Sequence, residues 1–343
     1  MTARFYLEPL EPTPRRLPGG RALAGQALHF ARVELGRWDG GSPERQPCAL
    51  AELPEAAQPQ LEPLSAPRPP FAGVAMDRPS VMGIVNVTPD SFSDGGDRFD
   101  PEVAIGSGLA MWRAGAAFVD VGGESTRPGA KPVTVAEEIA RIRPVVAALA
   151  EAGVRVSIDT RHAAVMAAAA EAGAAVINDV TALTHDPEAL AVAAGSGLPV
   201  ILMHMLGTPA TMQQDPRYAD VAFEVFDHLA ARLEACTAAG IPRERLCVDP
   251  GIGFGKTVAH NCTLIARLSL FHGLGCPVLL GASRKAFIGR LSAGEPPKGR
   301  LPGSLAVALA GAARGAQILR VHDVPETLQA LALQRALDEA AAH

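Results

Sequence analysis

The sequence is short of cysteine pairs, of basic clusters and of long apolar runs. Its five cysteines, Cys48, Cys236, Cys247, Cys262 and Cys276, form no CxxC pair and are odd in number. That argues against a disulfide framework and a zinc site, and fits a reducing cytoplasm. Basic side chains number 31 against 36 acidic ones, a formal charge of −5. Nucleic-acid binding needs clustered Lys and Arg, so no nucleic-acid partner is expected. No apolar run reaches the roughly 18 residues of a membrane span. The opening MTARFYLEPLEPTPRR lacks the apolar stretch of a signal peptide. What is present is a chain of 343 residues, 48% hydrophobic, with enough apolar side chain for a large buried core.

Composition shifts near residue 80. Thirteen prolines precede it, from Pro9 to Pro79. Each removes a backbone donor and fixes φ, so no continuous helix or central strand is expected there. Gln26 to Trp38 is the exception, with Leu28, Phe30, Ala31, Val33 and Leu35 suited to a short strand or hairpin. Residues 1–79 therefore read as an irregular N-terminal extension with a small β element. Residues 80–343 read as the catalytic domain.

In that second part eight short apolar runs recur: Val81–Val87, Phe118–Gly122, Val154–Asp159, Ala175–Val180, Pro199–Met205, Leu246–Pro250, Pro277–Ala282 and Gln317–Val321. Each has the length of a strand and is apolar nearly throughout, as in a parallel sheet buried on both faces. Alanine-rich helical segments lie between them, among them Val135–Glu151, Arg161–Ala172, Tyr218–Ala239, Asn261–Leu270, Leu305–Arg314 and Pro325–Ala341. Eight strand-helix repeats over a length near the typical value of about 250 residues predict an α/β fold of the (β/α)8 TIM-barrel type. A doubly wound sheet is disfavoured. It needs a glycine-rich loop after its first strand, where this chain has Thr88-Pro89-Asp90-Ser91.

A barrel places its chemistry at the C-terminal ends of its strands. Those ends carry Asn86, Asp120, Asp159, Asn178-Asp179, His204, Asp249, Ser283-Arg284-Lys285, and Arg320 with His322, and Glu124-Ser125-Thr126-Arg127 follows the second strand. A rim of both charge signs implies a ligand with anionic and hydrogen-bonding parts. Arg127, Arg320 and His322, with the Ser125 and Thr126 hydroxyls, suit phosphate oxygens. Asn86 is a neutral oxygen donor suited to a Mg2+ ion held mainly by water and phosphates. Asp159, Asn178 and Asp249 suit the amino-amide edge of a flat heterocycle. For Asp159 a helix cap, and for Asp249 a turn before Pro250-Gly251, remain competing readings.

Two further features are set aside. Gly253-Phe254-Gly255-Lys256-Thr257 looks like part of a phosphate loop, but that pattern needs glycine at the position of Pro250. His204 has no second histidine at metal-ligand spacing and reads as a structural hydrogen-bonding group.

Met82-Gly83-Ile84-Val85-Asn86-Val87-Thr88-Pro89-Asp90-Ser91-Phe92-Ser93-Asp94-Gly95-Gly96 resembles the first signature of the dihydropteroate synthase family, and Asp120-Val121-Gly122-Gly123-Glu124-Ser125-Thr126-Arg127-Pro128-Gly129 the second. Ser157–Thr160, Ile177–Asp179, Asp249–Lys256, Ser283–Lys285 and Arg320–Asp323 continue the resemblance in order. It covers about residues 80–335 and leaves the extension without a counterpart. It implies a transferase of folate biosynthesis that joins 6-hydroxymethyl-7,8-dihydropterin diphosphate to 4-aminobenzoate and releases diphosphate. It also implies a cytoplasmic homodimer with Mg2+. By matched position, Asp159, Asn178, Asp249 and Lys285 would hold the pterin. Asn86 would bind the metal, and Thr126, Arg320 and His322 the diphosphate, with Arg127 in the same loop. Phe254, Pro128, Arg284 and Lys285 would border the aminobenzoate. Asp159, Lys285, Arg320 and His322 form the expected catalytic set, with Asp90 or Asp94 assisting Asp159. The family often has serine where this chain has Ala286. Two alternatives stay open at this point: a related pterin-dependent methyltransferase, and a non-catalytic pterin-binding homologue.

Overall fold

The computed structural model describes residues 4–88, 100–125, 133–208 and 211–342. In the extension lie strands β1 (Arg4–Pro9), β2 (Arg21–Ala22), β3 (His29–Phe30), β4 (Arg32–Trp38) and β5 (Glu44–Ala49), then helix α1 (Leu61–Ser65). Strands β1, β4 and β5 form an antiparallel sheet with β4 in the middle. The sequence pointed to a β element only within Gln26–Trp38. Both partners of β4 were hidden by the prolines at their ends and middles. Pro47 is tolerated because β5 is an edge strand, where a missing donor faces no neighbour.

The barrel strands are β6 (Ser80–Asn86), β7 (Phe118–Gly122), β8 (Val156–Asp159), β9 (Val176–Asp179), β10 (Val200–Met203), β11 (Leu246–Asp249), β12 (Leu279–Leu280) and β13 (Ile318–Val321). They pair in parallel in the order β11-β10-β9-β8-β7-β6-β13-β12. A bridge from Val248 to Val278 joins the two edges and closes the ring. Between them run α2 (Pro101–Arg113), α3 (Val135–Glu151), α4 (Ala163–Glu171), α5 (Ala189–Ser196), α6 (Val221–Ala238), α7 (Val258–Ala266), α8 (Ala286–Leu291), α9 (Leu301–Ala312) and α10 (Val324–Ala342). Helix α6 starts later than the expected Tyr218 because Asp220 caps it, accepting from the Ala222 and Phe223 N–H groups at 3.0 Å each. The expected helix over Asn261–Leu270 divides instead: α7 ends at Ala266 and a 3-10 stretch covers Leu268–Leu274.

Side chains alternate along each strand, so the barrel interior is layered. The floor is apolar: Met82, Phe118, Val176, Ile201, Cys247, Leu279 and Ile318 cluster with Phe71 and Met76 from the extension. Two residues further along the same inner faces come Asp120, Asn178, Asp249 and Arg320. The extension is thus part of the barrel core at the end opposite the strand C-termini. It also grips α6: Tyr6 stacks on Phe223 with centroids 4.1 Å apart, and its hydroxyl donates to Asp227 at 2.7 Å. Arg267 donates to Glu8 at 2.6 Å and to Glu34 at 3.0 Å.

Candidate active site

Four of the rim residues, Asp120, Asp159, Asn178 and Arg320, meet in a hydrogen-bonded network inside the barrel mouth. Arg320 on β13 donates from Nε to Asp120 at 2.6 Å and from Nη2 to Asp159 at 2.7 Å. Asn178 donates from Nδ2 to the same Asp120 oxygen at 3.1 Å. Asp120 is fully buried, and its Oδ1 has no hydrogen-bond partner among the described residues. Burial of a lone carboxylate is costly, so its pairing with Arg320 is a structural requirement. Arg320 Nη1, in contrast, carries no hydrogen bond among the described residues.

The electrostatics follow from one guanidinium among several acids. Burial pushes the Asp159 carboxyl up to about 7, against the pull of Arg320 and with the repulsion of Asp120, Asp179 and Glu138. Burial opposes the charge on Arg320, but Asp120 and Asp159 outweigh it and hold the guanidinium firmly protonated. Asp249 is raised by burial, which Lys285 and the Gly251 N–H oppose. Lys285 is lowered to about 7 by burial and Arg320, against the attraction of Asp249 and Asp159.

The competing readings resolve locally. Asp159 does not cap α4; its carboxylate turns to Arg320, and Thr160 accepts the His162 N–H at 3.2 Å instead. Asp249 serves the turn as well as the site, because Oδ1 accepts the Gly251 N–H at 2.7 Å. Lys285 donates to the Ile252 carbonyl, and its ammonium lies 4.2 Å from the Phe254 ring centroid. His322 is steadied by Ser283, whose Oγ lies 3.0 Å from its Nδ1. Arg284 is paired with Asp323. Its φ is +58°, a strained value for a residue with a side chain. The Ser304 hydroxyl accepts its N–H at 2.9 Å and Arg300 donates to its carbonyl at 2.9 Å, which hold it there. Asn86 ends β6, half-buried at the mouth. Thr126, Arg127 and Pro128, like Asp90 and Asp94, lie outside the described residues.

Sequence reasoning placed Asp120 at a strand end but not in the site, and it missed the supporting roles of Ser283 and Asp323. The signal for Asp120 was a carboxylate flanked by Val119 and Val121, both fully buried. Among the described residues Glu124, Glu138 and His162 bring possible metal-ligand atoms within 4.8 Å of one another. Arg161 already spans both oxygens of Glu124 at 3.0 and 3.1 Å, so this is an ion-pair cluster beneath the loop after β7.

Residues 82–322 match the model of the family described as "Pterin binding enzyme". The chain is 50% identical to the dihydropteroate synthase of Escherichia coli K12 over 262 residues, covering 76% of this chain and 92% of that one. The crystal structure of the Yersinia pestis dihydropteroate synthase with a sulfonamide drug complex superposes with a TM-score of 0.74 at 48% identity, over 78% of this chain and 96% of that one. The Xanthomonas albilineans dihydropteroate synthase in complex with 7,8-dihydropteroate superposes with a TM-score of 0.70 at 45% identity, over 77% and 95% of the two chains. With the barrel, its charged mouth and these likenesses together, the chain belongs to the dihydropteroate synthases of the pterin-binding enzyme family.

Proposed function

We propose that this chain condenses 6-hydroxymethyl-7,8-dihydropterin diphosphate with 4-aminobenzoate, giving 7,8-dihydropteroate and diphosphate. The observation that carries this reading is the Arg320 guanidinium, shared by Asp120 and Asp159 while its Nη1 has no hydrogen-bond partner among the described residues at the barrel mouth. That arrangement presents one cation to a leaving anion and a carboxylate to a developing cation. The methyltransferase alternative has no use for such an anion-binding group.

In this reading Asp249, Asn178 and Lys285 hold the pterin edge. Arg320, His322, Thr126 and Arg127 receive the diphosphate. The pterin methylene C–O bond breaks, and its electron pair leaves with the diphosphate. The ionised Asp159 stabilises the positive charge left on the pterin-methylene group, as a preorganised charge does in a water-poor site. The amine lone pair of 4-aminobenzoate then forms the C–N bond, and the nitrogen loses a proton. Phe254 borders the aminobenzoate ring, with Pro128, Arg284 and Lys285 around it.

The donor chemistry at Asn86 fits a magnesium ion. It offers a single neutral carbonyl oxygen at the mouth, so Asn86 would hold the ion together with water and the diphosphate. When bound, Mg2+ supplies charge neutralisation to the leaving group. The cytoplasmic location and the homodimer implied by the family belong to the same reading. Five free cysteines suit the former, and sedimentation tests the latter. The function itself is tested by incubating the protein with both substrates, with and without Mg2+. Diphosphate release that requires 4-aminobenzoate is expected, and release independent of it rejects the assignment.

A further inference from the structure

The glycine-rich run after β11 includes a lysine whose hydrogen bonds go to the protein itself. Lys256 turns inward and is only 2% exposed. Its ammonium meets three acceptors: His204 Nδ1 at 2.9 Å, the Phe254 carbonyl at 2.9 Å and the His204 carbonyl at 3.4 Å. Three acceptors match the three protons of an ammonium. His204 is able to accept, because burial and the nearby Lys256 push its imidazole down to about 2 and keep it neutral. Burial lowers Lys256 itself well below its ordinary value, and the Asp249 carboxylate opposes that.

The contact joins the end of β10 to the loop that follows β11. That loop lies flush against β10 and its continuation. A Cβ at Gly251 would sit 1.9 Å from the His204 carbonyl oxygen, and one at Gly255 would sit 2.6 Å from that of Leu206. Both glycines also have positive φ, +72° and +63°, so no other residue fits easily. Tyr218 donates to the Gly255 carbonyl at 2.8 Å, and Asn261 accepts the Gly253 N–H at 2.6 Å. Gln213 also donates from Nε2 to the Gly253 carbonyl at 2.8 Å. Held in this way, the loop presents the Ile252 carbonyl and the Phe254 ring to Lys285.

We infer that Lys256 is a positioning residue: it ties the Phe254 carbonyl to His204 from inside the barrel wall, and so sets where the Phe254 ring stands against the aromatic amine substrate. It touches neither substrate. The inference rests on the reading that Phe254 borders the aminobenzoate subsite, and it predicts an effect confined to that subsite. Asp159, Asn178 and Arg320 stand on other strands and do not depend on this loop.

The test is steady-state kinetics of Lys256→Met, His204→Gln and Phe254→Ala with each substrate varied in turn. Lys256→Met, which leaves the Phe254 carbonyl untied, is expected to raise the KM for 4-aminobenzoate about tenfold. The KM for the pterin diphosphate should stay within about twofold. His204→Gln, which moves the side-chain acceptor away from the Nδ1 position, should shift the same KM in the same direction by less. An unchanged aminobenzoate KM in folded Lys256→Met, or an equal rise for both substrates, overturns the inference. Should Lys256→Met fail to fold, His204→Gln decides by the same criteria. If Phe254→Ala leaves the aminobenzoate KM unchanged, the subsite assignment falls and the inference with it. If Phe254→Ala raises it while Lys256→Met does not, the inference falls alone.

Discussion

Arg320 reaches Asp120 across the barrel, Nε to Oδ2 at 2.6 Å, although the two residues are 200 positions apart in the chain. The carboxylate is fully buried and the guanidinium one-fifth exposed. Removing the cation therefore does two things. Arg320→Ala should weaken pterin diphosphate binding, and it should leave Asp120 buried without its counter-charge. Breaking a buried pair from one side costs about 3–5 kcal/mol. Denaturant unfolding and a substrate titration separate the two effects. An unchanged titration curve in the folded variant rejects the diphosphate role.

Asp159 shares that guanidinium but faces the mouth. Asp159→Asn should keep much of the pterin binding and lose most of the turnover, because the amide retains polarity but not charge. Full turnover in that variant removes the cation-stabilising role. The wild-type pH profile offers a second check. Asp159 must be ionised and its carboxyl is raised to about 7, so activity should climb as pH passes through that value. Lys285 must stay charged and is lowered to about 7, so activity should fall again above it. The expected kcat/KM profile for the pterin substrate is a narrow bell. Lys285→Arg should carry the alkaline limb to higher pH, and an unmoved limb assigns it elsewhere.

Much of the barrel was legible because buried parallel strands are apolar on both faces, as in Val81–Val87. The polar strand ends then fell on one rim by geometry alone. Asp120 was harder. Its site role depends on Arg320, and no local pattern reports a partner 200 residues away. Lys256 was legible only in part. Pro250 already ruled out a phosphate loop in the sequence, but only the direction of the side chain shows that Lys256 points into the wall. In the extension, Glu8-Pro9 and Pro47 broke the alternation that would have marked β1 and β5.

Glu138 sits fully buried in the first turn of α3, and among the described residues neither carboxylate oxygen has a hydrogen-bond partner in bonding geometry. Burial raises it to about 7; the Thr160 hydroxyl lies near enough to oppose this without offsetting it. A carboxyl raised on folding contributes stability that is fully present below its unfolded pKa and lost as pH rises through its folded one. Wild-type melting temperature should therefore fall as pH rises through about 7. Glu138→Gln should flatten that fall, since the amide does not titrate. Parallel melting curves for the two proteins across this range refute the assignment.

Phe71 and Met76 close the barrel floor, 0% and 1% exposed, and the Phe71 ring meets Phe118 edge-on at 6.3 Å. These two side chains come from the extension, outside the matched residues 82–322. The floor they cover is made of Met82, Val176, Ile201, Cys247, Leu279 and Ile318, all apolar. In this chain the extension therefore supplies core, and the barrel should not tolerate its loss. Phe71→Ala should cost about 3–5 kcal/mol, as other buried aromatic truncations do. The denaturant midpoint should drop with an unchanged slope, because the same surface is exposed on unfolding. Deleting residues 1–79 should expose the whole floor and yield protein that aggregates on purification. A deletion variant that stays monodisperse with the wild-type melting temperature would show that the floor is sealed some other way.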